Sequence, residues 1–316
     1  MKKILIHSLT FPPDTISTGM IVSEIADGLN KELNNIEVLA SSPQYNLKSA
    51  QEYNQNDKNI SVGMFKGIKV HYIESNPRQF SNSSRFFQWL GFNFKAIRFI
   101  YKNRKNYKEI LIFSYPPTMN LVCIFTTKIL KINTIYSLWE LYPEIAEKLD
   151  KQPNKILKSL FKILDNYSLK NVRKVVVNSE ELKKYLIEKR RINKNKIHTI
   201  NHFSPFPKSN FEPNLKLESI FYAGNTGRPQ NISSFINFFN EQFPQNWNFE
   251  LYGSGQEFES LSKFSKENIN INDYLPREDL EEKVKEIPYA LICLDYEITI
   301  EGFPGKTFDY LNMNKI

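Results

Sequence analysis

Glu109-Ile-Leu-Ile-Phe113 and Thr134-Ile-Tyr-Ser-Leu138 are short apolar runs of the kind that form buried parallel strands. Between them lies an apolar segment, ending near Leu130, that is long enough for a helix. A strand, a helix and a second strand in this order form one crossover unit of a parallel sheet. The stretch from Glu109 to Leu138 therefore predicts an α/β fold.

The same alternation extends in both directions along the chain. It begins with the strand Lys3–His7, pauses at a segment rich in Pro, Ser and Asn, and starts again at Ser219–Ala223. Such a pattern is typical of doubly wound parallel sheets. We therefore predict two Rossmann-like domains that face a cleft, over residues 1–203 and 218–316, with a linker at 204–217.

The composition limits the class of protein. No apolar run approaches the ~20 residues that cross a bilayer, and the basic N-terminus leads into Pro12-Pro13 after a short strand-like run, unlike a signal peptide. Cys123 and Cys293 lie far apart in apolar segments, as core cysteines do. These features favour a cytoplasmic protein.

The net charge of +8 is unevenly distributed. Residues from 206 onward contain 10 Lys/Arg and 17 Asp/Glu, a net charge of −7, which leaves +15 for residues 1–205. A basic front half suits nucleic acid, anionic lipid or phosphorylated ligands, although a genome rich in Lys, Asn and Ile would produce part of the bias. Nucleic acid ranks lower because no nucleic-acid motif accompanies the charge.

Three glycine-containing loops follow predicted strands of the second domain. They are Gly224-Asn-Thr-Gly-Arg228, Gly253-Ser-Gly255 and Glu301-Gly-Phe-Pro-Gly-Lys-Thr-Phe-Asp309. Glycines let the backbone approach an anion, and helix N-termini attract phosphate. Taken alone, the third loop favours a surface loop before a capped helix, and the first two are also explained as plain strand-to-helix turns. Three such loops on one sheet are more informative than any one of them and favour a phosphate site. The same pattern predicts a helix over 256–266 and a strand over 289–294.

Together these motifs resemble those of family 4 glycosyltransferases, a retaining class with two Rossmann-like domains (the GT-B fold). The resemblance spans nearly the whole chain and includes members that build bacterial surface polysaccharides. Glu301 and Asp309 have the spacing of the family's Glu-x7-Glu donor motif, with Asp in place of the second Glu. Other similar stretches are Phe11-Pro-Pro13 with Gly19, Trp139-Glu-Leu-Tyr-Pro-Glu144, Tyr222–Arg228 and Leu251–Gly255.

The resemblance implies a nucleotide-sugar donor site in the second domain. Glu301 would contact the sugar, Asp309 the ribose, and the amides around Gly305, Lys306 and Thr307 the diphosphate. The loops that contain Gly224, Asn225 and Gly253 would complete this site.

The cations of the donor site differ from the family pattern. Relatives usually place an Arg and a Lys on the diphosphate at the positions of Asn225 and Gln230. We hypothesise that Arg228 and Lys306 neutralise the leaving diphosphate instead, since its departure builds up negative charge.

The first domain is expected to bind the acceptor. Glu140, where relatives usually carry Asp, follows a predicted strand and could orient an acceptor hydroxyl or accept its proton; a helix-capping acid before Pro143 is an equal alternative. Gly19, at the N-terminus of the first helix, would let donor phosphate approach. No Asp-x-Asp motif is present and the four histidines are scattered, so we expect a reaction that needs neither metal nor cofactor.

Residues 84–105 combine many aromatic residues with Lys and Arg. Such a helix suits the surface of an anionic membrane, and a core-packed helix with a basic rim is the alternative. The positive front half favours the membrane, which suits a lipid-linked acceptor.

The sequence therefore predicts transfer of a hexosyl or N-acetylhexosaminyl group to a lipid-linked saccharide for O-antigen, capsule or exopolysaccharide, at the inner face of the cell membrane. A nucleotide-sugar epimerase of the same architecture and a non-catalytic partner protein are the alternatives. Because relatives continue beyond Ile316 into further elements, we expect the second domain to be incomplete.

Overall fold

The computed structural model describes residues 2–14, 16–44, 60–76, 82–145, 155–295 and 304–316, with the backbone alone at 82, 83, 157 and 228. These residues divide into two compact units, one up to His202 and one from Phe203 onward. Each unit is built on its own sheet. Among the helices so described, none has the length and apolarity to span a bilayer.

Eight strands form the sheet of the first unit. They are β1 (Lys3–His7), β2 (Ile36–Ser41), β3 (Ile60–Phe65), β4 (Ile68–Ile73), β5 (Tyr107–Phe113), β6 (Asn133–Leu138), β7 (Lys174–Val177) and β8 (Ile197–Thr199). Their order is β3-β4-β2-β1-β5-β6-β7-β8, parallel throughout except for the antiparallel pair β3 and β4. That pair is antiparallel because the tight turn at Lys66-Gly67 joins the two neighbouring strands directly.

Helices cover both faces of this sheet. They are α1 (Ser17–Leu33), α2 (Asn82–Asn103), α3 (Met119–Ile124), which continues as a π-helix over Phe125–Ile129, α4 (Lys155–Asn171) and α5 (Glu180–Glu188). Along β1, Leu5 points into the core under α2 to α5, whereas Ile4 and Ile6 point into the core under α1. The predicted doubly wound architecture is therefore confirmed in this unit.

The second unit has a smaller parallel sheet. Its strands are β9 (Ser219–Asn225), β10 (Asn248–Ser254), β11 (Ile269–Asp273) and β12 (Tyr289–Ala290), in the order β11-β10-β9-β12, and its helices are α6 (Ile232–Gln242), α7 (Phe258–Ser262), α8 (Arg277–Val284) and α9 (Lys306–Asn312). Phe221 and Tyr222, adjacent on β9, belong to separate cores on the two faces. This unit is thus also doubly wound.

Two elements of the second unit are shorter than we predicted. The strand expected over 289–294 ends at Ala290, and its apolar run continues because Leu291 and Cys293 pack on the core under α6. The helix expected over 256–266 covers Phe258–Ser262, since Lys266 already pairs with Ile269 in the turn before β11.

The segment 204–217, expected to be a linker, runs along α9. The Ser209 amide donates to the Asn312 carbonyl at 2.7 Å, and the Asn312 side chain donates to the Phe206 carbonyl at 2.8 Å. These bonds attach the segment to the second unit.

Candidate functional site

Tyr310 fixes α9 at the carboxyl end of β9. Its hydroxyl accepts from the Ala223 amide at 2.9 Å and donates to the Ala223 carbonyl at 3.3 Å, and its ring meets Phe221 edge-on at 5.2 Å. Lys306 lies four residues earlier and therefore on the same helix face. The docking of Tyr310 thus brings Lys306 to the end of the strand.

Lys306 lies between an aromatic ring and a glycine of β9. Its ammonium is 5.0 Å from the centre of the Tyr222 ring, and a β-carbon at Gly224 would lie 2.7 Å from Nζ. Gly224 also has a φ of +128°, which favours glycine. Burial lowers the pKa of Lys306 to about 8, opposed by the charge of Asp309. Within the described chain the ammonium has an aromatic neighbour but no hydrogen-bond acceptor.

Asp309 follows on the next turn of α9. Its Oδ1 accepts a hydrogen bond from the Ser204 hydroxyl at 2.7 Å. Burial raises the pKa of Asp309, whereas Ser204, Arg277 and Lys306 lower it. Sequence reasoning missed Ser204, because it lies 105 residues away in a segment that resembled a linker.

Arg277 is a second cation near Asp309 that sequence reasoning missed. It begins α8 after β11, and its guanidinium stacks on Phe206 at 4.7 Å. Its Nε lies 3.8 Å from Glu281, too far for a hydrogen bond. Nε and Nη2 are buried and have no hydrogen-bond partner among the described residues. Such N–H groups can receive an anionic ligand. The polar sequence of α8 gives no local signal of this role.

The first two glycine loops pack against each other. The Thr226 amide donates to the Ser254 carbonyl at 2.9 Å, and a β-carbon at Gly253 would lie 2.4 Å from the Gly224 carbonyl oxygen. Packing alone therefore requires glycine at 253. In the same loop, Asn225 donates to Gln230 at 3.2 Å.

The third loop is described from Pro304 onward. Within the described residues, a β-carbon at Gly305 would have no atom within 4 Å, so the backbone is open on that side. The Thr307 amide donates to the Pro304 carbonyl at 3.1 Å and is used within the first turn of α9. Glu301 lies outside the described residues, as does the side chain of Arg228, whose backbone begins a short 3₁₀-helix.

Glu140 follows β6 in the first unit, at the carboxyl edge of the sheet. Its Oε2 accepts a hydrogen bond from the Tyr142 hydroxyl at 3.2 Å. Burial raises the pKa of Glu140, and the bond from Tyr142 opposes this effect. The preceding Trp139 is held by its amide, which donates to the Ser114 hydroxyl at 3.0 Å, and by edge-on contacts with Phe113 and His202. This packing fixes the backbone that carries Glu140.

A small cavity lies beside Glu140. Its lining is Ser114, Pro117, Asn120, Tyr136, Glu140, Tyr142, Phe161 and Asp165. In the part of the chain that the structure describes, Asn120 Oδ1 and Asp165 Oδ2 are buried and have no hydrogen-bond partner. Burial raises the pKa of Asp165 to about 7, with Arg190 opposing and Glu144 adding to the effect. Polar atoms in such a space suit a bound water molecule.

Gly19 lies in the first turn of α1 and is buried. A β-carbon there would lie 3.2 Å from the Asp14 carbonyl oxygen. The glycine thus lets α1 start close against the loop that follows β1.

Solved glycosyltransferases have the same fold. Sucrose-phosphate synthase from Thermosynechococcus elongatus has a TM-score of 0.64 at 13% identity, over 92% of this chain and 75% of that chain. A lipopolysaccharide outer core galactosyltransferase has a TM-score of 0.61 at 15% identity, over 100% of this chain and 79% of that chain. The catalytic domain of starch synthase IV from Arabidopsis thaliana has a TM-score of 0.58 at 11% identity, over 98% of this chain and 76% of that chain. These likenesses confirm a GT-B fold.

Sequence comparison identifies the family. A search of curated proteins found no match. The family model of Glycosyltransferase Family 4, in contrast, matches residues 19–203, more than half of the chain. The predicted resemblance is thereby confirmed, and the chain belongs to glycosyltransferase family 4.

Proposed function

We propose that this glycosyltransferase transfers a hexosyl or N-acetylhexosaminyl group, with retention, from a nucleotide sugar to a lipid-linked saccharide. The observation that carries the donor part is Lys306, a partly buried cation at the end of β9 without a hydrogen-bond acceptor among the described residues. A fixed cation of this kind suits the diphosphate of a nucleotide. Support also comes from the starch synthase neighbour, which was solved bound to ADP and acarbose.

The chemistry requires stabilisation of a departing diphosphate. Lys306 and Arg277 would supply positive charge as negative charge develops on the leaving oxygens, together with Arg228 from the loop after β9. Asp309 would accept hydrogen bonds from the ribose hydroxyls, and Glu301 would contact the sugar. The cations make a divalent metal unnecessary, so we propose a metal-independent reaction.

Glu140 would act on the acceptor. A carboxylate with a raised pKa is a stronger base than an ordinary one, so it can orient an acceptor hydroxyl or take its proton as the new bond forms. The hydrogen bond from Tyr142 would hold the carboxylate in position for this step.

A lipid-linked acceptor in surface-polysaccharide synthesis is the proposed pathway. It is supported by the likeness to a lipopolysaccharide galactosyltransferase and by the +15 net charge of residues 1–205. We accordingly propose a cytoplasmic protein at the inner face of the cell membrane.

The test is a mass-spectrometric screen of nucleotide sugars, each incubated with the protein alone and with a lipid-linked acceptor fraction, with and without EDTA. Transfer predicts nucleoside diphosphate release coupled to glycosylated acceptor, unchanged by EDTA. An epimerase, the alternative that a solved UDP-N-acetylglucosamine 2-epimerase of this architecture favours, would isomerise its substrate without acceptor. Binding without turnover would indicate a non-catalytic partner.

A further inference from the structure

α2 carries an exposed aromatic stripe on its outer side. Phe87, Phe94 and Tyr101 are seven residues apart, so they lie on one face, and they are 69%, 72% and 50% exposed. Phe92 and Phe99 are buried on the opposite face. This helix is thus packed on the core and still leaves large rings in solvent.

α4 carries a second exposed stripe, which is mainly aliphatic. Ile156, Leu160, Ile163 and Tyr167 follow the spacing of one helix face and are 77%, 49%, 64% and 44% exposed. Ile129, on the π-helix, is exposed as well. On its inner side α4 buries Leu169, so the exposed stripe is a face that the core does not cover.

The helices that carry these stripes are strongly basic. Thirteen basic residues lie on α2, the π-helix and α4 or within the two residues that follow each of them: Arg85, Lys95, Arg98, Lys102, Arg104, Lys105, Lys128, Lys131, Lys155, Lys158, Lys162, Lys170 and Arg173. The one acid in these segments is Asp165, which is buried and lies 3.5 Å from Arg190. We call the exposed residues of α2, the π-helix and α4 the basic face.

We propose that the basic face docks on the surface of an anionic lipid bilayer. Exposed aliphatic and aromatic side chains enter the headgroup boundary, while surrounding Lys and Arg attract anionic lipid. The helices of the basic face carry no exposed carboxylate, so the basic face is complementary in charge to an anionic bilayer. The aliphatic stripe of α4 distinguishes this partner from a nucleic acid, which would meet the cations alone.

The basic face adjoins the proposed acceptor residue within the same unit. Phe161 of α4 contacts Phe86 of α2 at 6.1 Å between ring centres, and it lines the small cavity together with Glu140. Docking would therefore hold Glu140 close to the membrane surface, where the sugar of a lipid-linked acceptor lies. The inference deepens the proposed function, but vesicle binding requires neither donor nor turnover, so the two can fail separately.

Vesicle flotation of the full chain tests the apolar stripe. We expect co-flotation with phosphatidylcholine vesicles that contain about 30 mol % phosphatidylglycerol, and loss of binding on neutral vesicles or at high salt. The variant Ile156→Ser/Leu160→Ser/Ile163→Ser should bind about tenfold or more weakly. The matched control is Val62→Ser/Met64→Ser, which removes apolar side chains of 55% and 65% exposure from β3.

A second set of variants tests the charges. Lys155→Gln/Lys162→Gln/Lys170→Gln should weaken binding to anionic vesicles on the order of 100-fold at low salt. Lys184→Gln/Lys189→Gln/Lys194→Gln, which changes exposed lysines outside the basic face, should bind like the wild type. Circular dichroism should show unchanged folding in every variant. Absence of wild-type flotation at low salt, or wild-type binding by either basic-face variant, would overturn the proposal.

Discussion

Asn225 and Gln230 are hydrogen-bonded to each other through their side chains at 3.2 Å, and Gln230 Oε1 also accepts from the Gly227 amide at 3.2 Å. In the relatives that this chain resembles, these two positions usually carry the Arg and the Lys that contact the donor diphosphate. The amide pair holds the loop in shape but supplies no charge. Lys306, which packs against Gly224 at the end of the same strand, is where we expect the missing charge.

Replacing Lys306 by Met should weaken nucleoside diphosphate binding about 10- to 100-fold, because a hydrogen bond to a charged group contributes roughly 1.5–3 kcal/mol. Methionine keeps an apolar stem over the Tyr222 ring. Isothermal titration with UDP, GDP and ADP measures the effect. Lys263→Met is the matched control, since this exposed lysine lies over Phe264 at 5.4 Å in the same unit. Equal affinities of Lys306→Met and wild type would contradict the assignment.

A charge restored in the loop should compensate for the loss of Lys306. The double variant Lys306→Met/Asn225→Arg should recover part of the lost affinity, because Asn225 is exposed and occupies the position where relatives carry Arg. Titration of the same nucleotides provides the measurement. Lys306→Met/Asn240→Arg adds the same charge at another exposed position of the unit and should not recover binding. Equal recovery by both variants would show that net charge alone matters.

The pKa of Lys306, lowered by burial to about 8, makes donor binding depend on pH. Only the ammonium form attracts diphosphate, so affinity should fall as the pH rises from about 7 to about 9, and Lys306→Met should lack this fall. The stability of the folded protein should show the opposite dependence on pH. In the unfolded chain Lys306 keeps its proton up to a pH of about 10.5, whereas in the folded chain it loses the proton near pH 8. The free energy of unfolding therefore rises with pH between about 8 and 10.5. At pH 7 the free energy of unfolding of Lys306→Met should therefore exceed that of the wild type by roughly 1–2 kcal/mol. The variant should accordingly unfold at a higher temperature. A pH-independent affinity in the wild type would contradict this prediction.

The sequence was informative where the signal is local. Apolar runs at strand spacing located the sheets, and the glycines near Lys306 and Asp309 drew attention to the end of the chain. Contacts between distant residues left no such signal: Ser204 and Asp309 are 105 residues apart, and Tyr310 is 87 residues from Ala223. The requirement for glycine at 253 is equally non-local, since it comes from the Gly224 carbonyl oxygen on the neighbouring strand.

Two glycine substitutions separate packing from ligand approach. Gly253→Ala should destabilise the protein by about 1–3 kcal/mol, because its β-carbon would lie 2.4 Å from a backbone oxygen. Gly305→Ala should leave the melting temperature unchanged, since a β-carbon there would meet no atom of the described residues within 4 Å. It should nevertheless weaken nucleoside diphosphate binding if phosphate approaches that backbone. Thermal unfolding and titration of both variants provide the comparison. Unchanged binding by Gly305→Ala would remove Gly305 from the donor site.

Glu140→Gln should lower the turnover number about 10²- to 10⁴-fold without changing the KM of the donor, because the amide cannot take a proton from the acceptor. Glu188→Gln, an exposed change on α5, is the control.

The pH profile tests the role of Glu140 further. Burial raises its pKa, and only the carboxylate form is a base, so turnover should fall as the pH falls through that raised value. Tyr142→Phe removes the hydrogen bond that lowers this pKa. The acid limb of the profile should therefore move to higher pH in Tyr142→Phe, while turnover on the alkaline side stays near that of the wild type. A merely structural Glu140 predicts a lower rate with no shift of the limb, so an unshifted profile in a folded Tyr142→Phe variant would exclude Glu140 as the base.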